Sequence, residues 1–187
     1  MRAQSLTGSR MAGFCAVEVC VAATIVAMLT SLALPSLKST VTAHRAQQAS
    51  QTLLTAIREA RSEAIRSQSV VKLNLQSSTH GSCLVMYVEN GPASAGRQPC
   101  QCSADGTATC NAAATLLRHQ WLPSTAEVSV LTNVPTMNFE GARGLVTPAG
   151  HFDVNQTSGP AIRHIVSMAG RIRSCSPDGE AKQLVRC

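Results

Sequence analysis

GFCAVEVCVAATIVAMLTSLALPSL, residues 13–37, is the stretch on which the fold class turns. From Phe14 to Leu37 it is apolar apart from scattered Thr and Ser, with one acidic residue, Glu18. That run is 24 residues long, and about 20 suffice to carry a helix across a bilayer. Ahead of it stand residues 1–13, MRAQSLTGSRMAG, polar and basic through Arg2 and Arg10. A secretory signal would have a shorter apolar core with its small-residue cleavage site behind it. Here the small residue, Gly13, lies in front. Cleavage after it would remove only a leader and leave the apolar helix on the mature chain, with Phe14 carrying the new amine. The basic leader stays on the cytoplasmic side, which puts the rest of the chain outside.

Glu18 is the anomaly in this run. A carboxylate within a membrane span is costly and is a functional candidate by default. After a cut at Gly13 it becomes the fifth residue, and the N-terminal amine of a neighbouring subunit can neutralise it when helices stagger into a bundle.

Pro35 would kink a helix in water, but membrane and filament helices accommodate one. Beyond it, Leu37, Val41, Ala46, Ala49, Leu53, Ile57, Ala60 and Ala64 recur at steps of three to five residues, predominantly the three and four of an amphipathic helix ending near Arg66. Lys38, His44, Arg45, Gln48, Arg58 and Glu59 fall on the other side. One helix of roughly 50 residues therefore lays its second half on something else. After Gln68 the period changes to that of strands, first at residues 70–75 and 83–88. Residues 89–114 are rich in Gly, Pro, Ser, Ala and Cys and read as a long surface loop pinned by disulfides. Further strands are expected at 116–121, 128–132, 136–139, 150–154, 162–167, 171–175 and 183–186. The expectation is an α+β fold, with antiparallel sheet packed on the C-terminal half of the helix. The corresponding segments are a leader at 1–13, a transmembrane helix at 14–37, an amphipathic helix at 38–67 and a β-rich domain at 68–187.

Composition agrees with a packed domain: 44% of residues are apolar and only 14% charged, which excludes general disorder. With aromatics at 3%, the core must be built from Val, Leu, Ile, Ala and Met. Eight cysteines are many for 187 residues. Cys15 and Cys20 fall in the apolar run and act as small apolar packers. Cys83, Cys100, Cys102, Cys110, Cys175 and Cys187 lie in polar, turn-rich surroundings and point to an oxidising compartment with up to three disulfides, whose pairing the sequence leaves open. A zinc site is the competing reading, but no CxxC pair is present and Cys100-x-Cys102 is a poor ligand spacing. No metal and no cofactor is expected.

Gly13-Phe14-Cys15-Ala16-Val17-Glu18 resembles the type IV prepilin signature, with Gly13, Phe14 and Glu18 matching and Cys15 and Ala16 departing from it. The resemblance implies a prepilin peptidase that cuts after Gly13 and methylates Phe14, and an assembly role for Glu18. Pro35 falls where type IV pilins commonly carry a proline. Residues 60–65 (ARSEAI) and 144–150 resemble the minor pilins and pseudopilins called FimT and GspH. The segment 166–175, VSMAGRIRSC, looks more like FimT, whose Gly-Arg-x-Arg pattern has been linked to DNA uptake in natural transformation. The implied protein is a single-pass subunit of the bacterial inner membrane, with its C-terminal domain in the periplasm and other pilins as partners in a filament.

Chemistry gives DNA its own argument. Arg171 and Arg173 are two apart, so in a strand they share a face, and Arg163 and Lys182 lie near in sequence. Clustered cations suit phosphate oxygens. Without interleaved aromatics the reading is binding to duplex backbone without sequence preference; the bland alternative is a solvated strand face. An enzyme finds no support: His44, His80, His119, His151 and His164 are scattered, and there is neither HExxH nor GxSxG nor a phosphate-cradling glycine loop. Glu59, Arg61 and Glu63 read as helix-supporting residues. The function expected is therefore a minor pilin of a type IV pilus, with DNA at its basic patch. The alternative is a type II secretion pseudopilin.

Overall fold

The computed structural model describes residues 15–91, 98–103, 105–123, 127–181 and 184–187, and within its helix the side chains of residues 30–36 are not described. Gly13, Phe14 and Lys182 therefore lie outside the described residues, as does the side chain of Pro35. The chain divides into two units, residues 1–40 and 41–187.

Helix α1 runs over Ala16–Ser67, 52 residues, with Glu18 in its first turn. In the first unit Val17, Val19, Val21, Ile25, Val26, Met28, Leu29 and Leu37 are all exposed, as are Cys15 and Cys20. Among the described residues no helix is long and apolar enough to cross a membrane.

In the second unit the expected stripe is the buried face of α1: Ala46, Leu53, Ile57 and Ala60 are fully buried and Ala64 nearly so, while Val41 stays exposed. They pack on two antiparallel sheets. The five-stranded sheet has the order β5-β2-β1-β7-β8, from β1 (Val70–Ser77), β2 (Gly81–Glu89), β5 (Ala114–Pro123), β7 (Thr136–Glu140) and β8 (Leu145–Thr147). The four-stranded sheet has the order β11-β10-β9-β6, from β6 (Val128–Thr132), β9 (Gly150–Gln156), β10 (Gly159–Val166) and β11 (Ile172–Cys175). One core joins helix and sheets, with Leu73, Met137 and Phe139 from the first and Phe152, Val154 and Val166 from the second. The α+β expectation is met.

The helix stops where its last carbonyls find other donors. Gln68 turns left-handed at φ 51°, Ser69 donates to the Ala64 carbonyl, and Gly141 donates to Ser69. A Cβ at Gly141 would run into the Ala64 backbone, so only glycine lets the β7–β8 turn close against the helix end.

Three expectations need correction. Residues 89–114 are not merely a loop: β3 (Cys100–Cys102) and β4 (Ala108–Cys110) form a two-stranded ribbon within them. The ribbon explains why β2 is buried on both faces, unlike a sheet strand with one wet side. Leu84 and Met86 face the helix, while Cys83, Val85 and Tyr87 pack with Cys100, Ala108 and Trp121 beneath the ribbon. No strand forms over 183–186 among the described residues, only one bridge between Ser176 and Arg186, inside the loop that the Cys175–Cys187 bond closes and Asp178 pins. The last strand opens at Ile172 rather than Arg171, since Gly170, at φ 69°, is still turning the chain.

Candidate functional site

The six cysteines expected to be bonded are bonded: Cys83 to Cys102, Cys100 to Cys110, and Cys175 to Cys187. The first clamps the ribbon onto β2, and the second closes the ribbon itself by joining β3 to β4. The third ties residues 176–187 back to the end of β11. Asp178 fixes that loop further, accepting from the Ala161 N–H at 2.9 Å, from the Ser176 hydroxyl and from the Glu180 N–H. These donors, the Ala161 amide first, pull its carboxyl down to about 2.

The basic residues of the C-terminal segment sit differently from one another. Residues opposed across antiparallel strands share a face. Arg163 opposes Cys175 and Asp153, and Ile165 opposes Arg173 and His151, so Arg163 and Arg173 project from the same side of the second sheet. That side is the outer one, since the alternate residue, His164, is buried against α1. Arg163 is held by Asp153 through two hydrogen bonds of 2.7 and 2.8 Å, and its pKa is raised by them. His151 lies 3.6 Å from the same carboxylate. Arg173 is exposed at its place in β11, and among the described residues it has no ion-pair partner.

Arg171 is likewise exposed and unpaired, but it belongs to the turn that joins β10 to β11. That turn is tightly fixed. Ser167 donates to the Arg171 carbonyl at 3.0 Å, Gly170 donates to the Ser167 carbonyl at 2.8 Å, and Val146 of β8 donates to Met168 at 2.8 Å. From the helix, the Arg61 guanidinium donates to the Gly170 carbonyl at 2.6 Å. A rigid turn thus offers two unneutralised guanidinium groups, an arrangement suited to an anion in solvent. Two other cations are engaged by carboxylates: Arg66 with Glu63 at 2.6 Å and Arg143 with Glu140 at 3.7 Å.

Sequence reasoning missed what lies on the inner face of β10 and β11. His164 is 1% exposed, its Nε2 at 2.8 Å from the Ser50 hydroxyl of α1 and its Nδ1 at 2.9 Å from the Ser174 hydroxyl of β11. A neutral imidazole donates through one nitrogen and accepts through the other, so the two serines take opposite roles. Burial drives the His164 pKa down to about 4, with Asp153 opposing and Arg58 reinforcing the shift. Parity in the run Ile162–His164–Val166 was the signal that could have found it. Among the described residues no cluster of His, Cys, Asp or Glu could hold a metal ion.

The family described as type II transport protein GspH matches residues 49–170, from the buried face of α1 to the turn at Gly170. Two crystal structures of the type IV minor pilin FimU from Pseudomonas aeruginosa (strain PAO1) are similar at 21% identity over 68% of this chain. They are covered to 85% and 90% of their own length, with TM-scores of 0.49 and 0.47. No curated protein matches the chain.

Proposed function

The chain belongs to the GspH family of type II transport proteins, and from that premise we propose that it is a filament subunit of a type IV pilus whose basic turn binds duplex DNA. The observation that carries the reading is the pair Arg171 and Arg173, both exposed and unpaired at a turn held by Arg61 and Gly170. Phosphate contacts of this kind position a protein on DNA without reading its sequence. The filament part rests on residues 13–37: cleavage after Gly13, methylation of Phe14, membrane insertion of the apolar run, and neutralisation of Glu18 by a neighbour's amine. In this reading the protein acts by assembly and binding, without catalysis, in the inner membrane before assembly and with its disulfide-bonded domain in the periplasm.

The experiment is a salt series. The full chain in detergent is titrated with random duplex DNA, beside the double variant Arg171→Ala, Arg173→Ala. Micromolar affinity that falls with salt and disappears in the variant supports the proposal. Equal behaviour of the two proteins refutes DNA binding at this turn. A second reading, a type II secretion pseudopilin, is favoured by the family's own description. Deleting the gene separates them: loss of transformation supports the first, and accumulation of unsecreted proteins the second.

A further inference from the structure

Among the described residues one buried side-chain polar atom has no hydrogen-bond partner, the Oδ1 of Asn138 in β7. A buried acceptor left unpaired costs about 1–3 kcal/mol, so the atom calls for a reason. Strand register supplies its surroundings. Lys72 of β1 stands directly opposite Asn138 on one side and opposite Tyr87 of β2 on the other. Opposed residues share a face of the sheet. This is the outer face, since the alternate residues Leu73 and Met137 lie in the core. Glu89, two residues beyond Tyr87, shares the face, and its Oε1 accepts from Lys72 Nζ at 2.6 Å. The surroundings are poor in water: the Lys72 and Glu89 side chains are 21% and 16% exposed, and Tyr87 is 2% exposed.

An amine, a carboxamide and a carboxylate thus meet on three adjacent strands. Directly opposed residues have Cβ atoms about 4.5–5.5 Å apart, and the flexible stem of lysine lets Nζ turn from Glu89 to the Asn138 Cγ. A lysine amine is a nucleophile once it has lost its proton, and the hydrogen bond to Glu89 gives that proton a place to go. The unpaired Oδ1 is free to accept a hydrogen bond from the protonated carboxyl as negative charge develops on it.

We propose that Lys72 and Asn138 join in an intramolecular amide bond, with Glu89 as the proton carrier. Nζ passes a proton to Glu89 and attacks Asn138 Cγ. The Nζ–Cγ bond forms and the Cγ–Nδ2 bond breaks. Of the protons that the ammonium began with, one stays on the new amide nitrogen. The others pass by way of Glu89 to Nδ2, which leaves as ammonium. Glu89 ends ionised, as it began, and the exchange needs no oxidant, reductant or cofactor. The product fastens β1, the strand that follows α1, to β7 by a covalent link as well as a ladder. It is independent of DNA binding, since Arg171 and Arg173 play no part in it.

The full chain, purified in detergent, is reduced, denatured and digested with trypsin, and its peptides are weighed by mass spectrometry. The expected result is one joined pair carrying Lys72 and Asn138, lighter than the two peptides by one ammonia, with no cleavage at Lys72. In Asn138→Ala the pair is absent and Lys72 is cut. Glu89→Gln keeps the size of the side chain but cannot carry the proton. General acid–base assistance is worth about 10²–10⁴ in rate, so most of that variant stays unlinked although its Lys72 and Asn138 remain. A parallel digest without reduction checks that each variant has formed its disulfides and so has folded. Separate Lys72 and Asn138 peptides of full mass in the parent overturn the proposal. Loss of ammonia confined to the peptide that carries Asn138 and Phe139 marks a succinimide and overturns it too. So does an undiminished yield of the joined pair in Glu89→Gln.

Discussion

Arg61 of α1 and Gly170 of the β10–β11 turn hold each other in place. The guanidinium donates to the glycine carbonyl at 2.6 Å, and a Cβ on Gly170 would meet the Arg61 Cζ at 3.0 Å. One residue supplies the donor and the other the space and the φ of 69° that let it approach. The helix end and the basic turn are thereby one mechanical piece.

Both partners should be sensitive for different reasons. Arg61→Ala removes a charged donor and is expected to cost about 1.5–3 kcal/mol. Gly170→Ala forces a side chain into the left-handed region and against the guanidinium, adding roughly 1–2 kcal/mol of strain. Denaturant unfolding measures both. If the turn serves as the DNA contact, Arg61→Ala should also weaken binding although Arg61 itself is occupied. Unchanged stability in both variants would show that the contact does not hold the turn.

Acid should loosen the fold through His164. Its ordinary pKa of 6.5 applies when unfolded, whereas burial between Ser50 and Ser174 lowers it to about 4 when folded. The unfolded chain therefore binds the proton first, and stability falls as pH drops from 6.5 towards 4, with no further loss below. The imidazole touches the two hydroxyls, while the Asp153 carboxylate, on the other face of the sheet, opposes the shift through its charge and Arg58 reinforces it. The shift corresponds to roughly 3 kcal/mol. Urea midpoints at pH 7 and pH 4.5 test it, beside His164→Gln, whose amide can donate and accept in place of the imidazole but does not titrate. A slope as steep in the variant as in the parent would assign the acid sensitivity elsewhere.

The legibility of this chain follows the range of the interactions involved. The stripe from Ala46 to Ala64 was readable because helical period is local, and the paired status of six cysteines because an even count in polar surroundings is a compositional signal. The ribbon was not. Its strands are three residues each, too short for a period, and their register comes from the disulfide bonds rather than from side-chain alternation. Arg163 was grouped with the free cations because Asp153 lies ten residues earlier, and only the pairing of β9 with β10 makes them neighbours. The processing residues Gly13 and Phe14 lie outside the described residues, so their part stays with the sequence.

The ribbon should detach when its bonds are broken. It covers Val85 and Tyr87 on the outer face of β2, and two short strands alone cannot hold such a cover in water. The double variant Cys83→Ala, Cys102→Ala, which removes the bond between ribbon and β2, is expected to lose about 2–4 kcal/mol. Because Gly106 of the ribbon closes on the ring of Trp121, the emission of the single tryptophan should shift to the red as the ribbon lifts. An unshifted spectrum with unchanged stability would mean that the apolar contacts hold the ribbon unaided.

Arg163 and Arg173 point from the same face of one sheet, yet they should behave oppositely in DNA binding. The Arg163 charge is already spent on Asp153 in a two-point contact, and moving it to a phosphate would strand that carboxylate. Arg173 has nothing to give up. Each phosphate neutralised contributes about 0.9 to the slope of log affinity against log salt. Arg173→Ala should therefore reduce the slope by about one and weaken binding uniformly across sequences, while leaving the unfolding midpoint in place. Arg163→Ala should leave the slope unchanged and lower stability instead, since Asp153 then keeps a charge with only His151 beside it. Were Arg163→Ala to reduce the slope as much as Arg173→Ala does, the ion pair would have to open on binding, and the DNA contact would extend across the sheet rather than end at the turn.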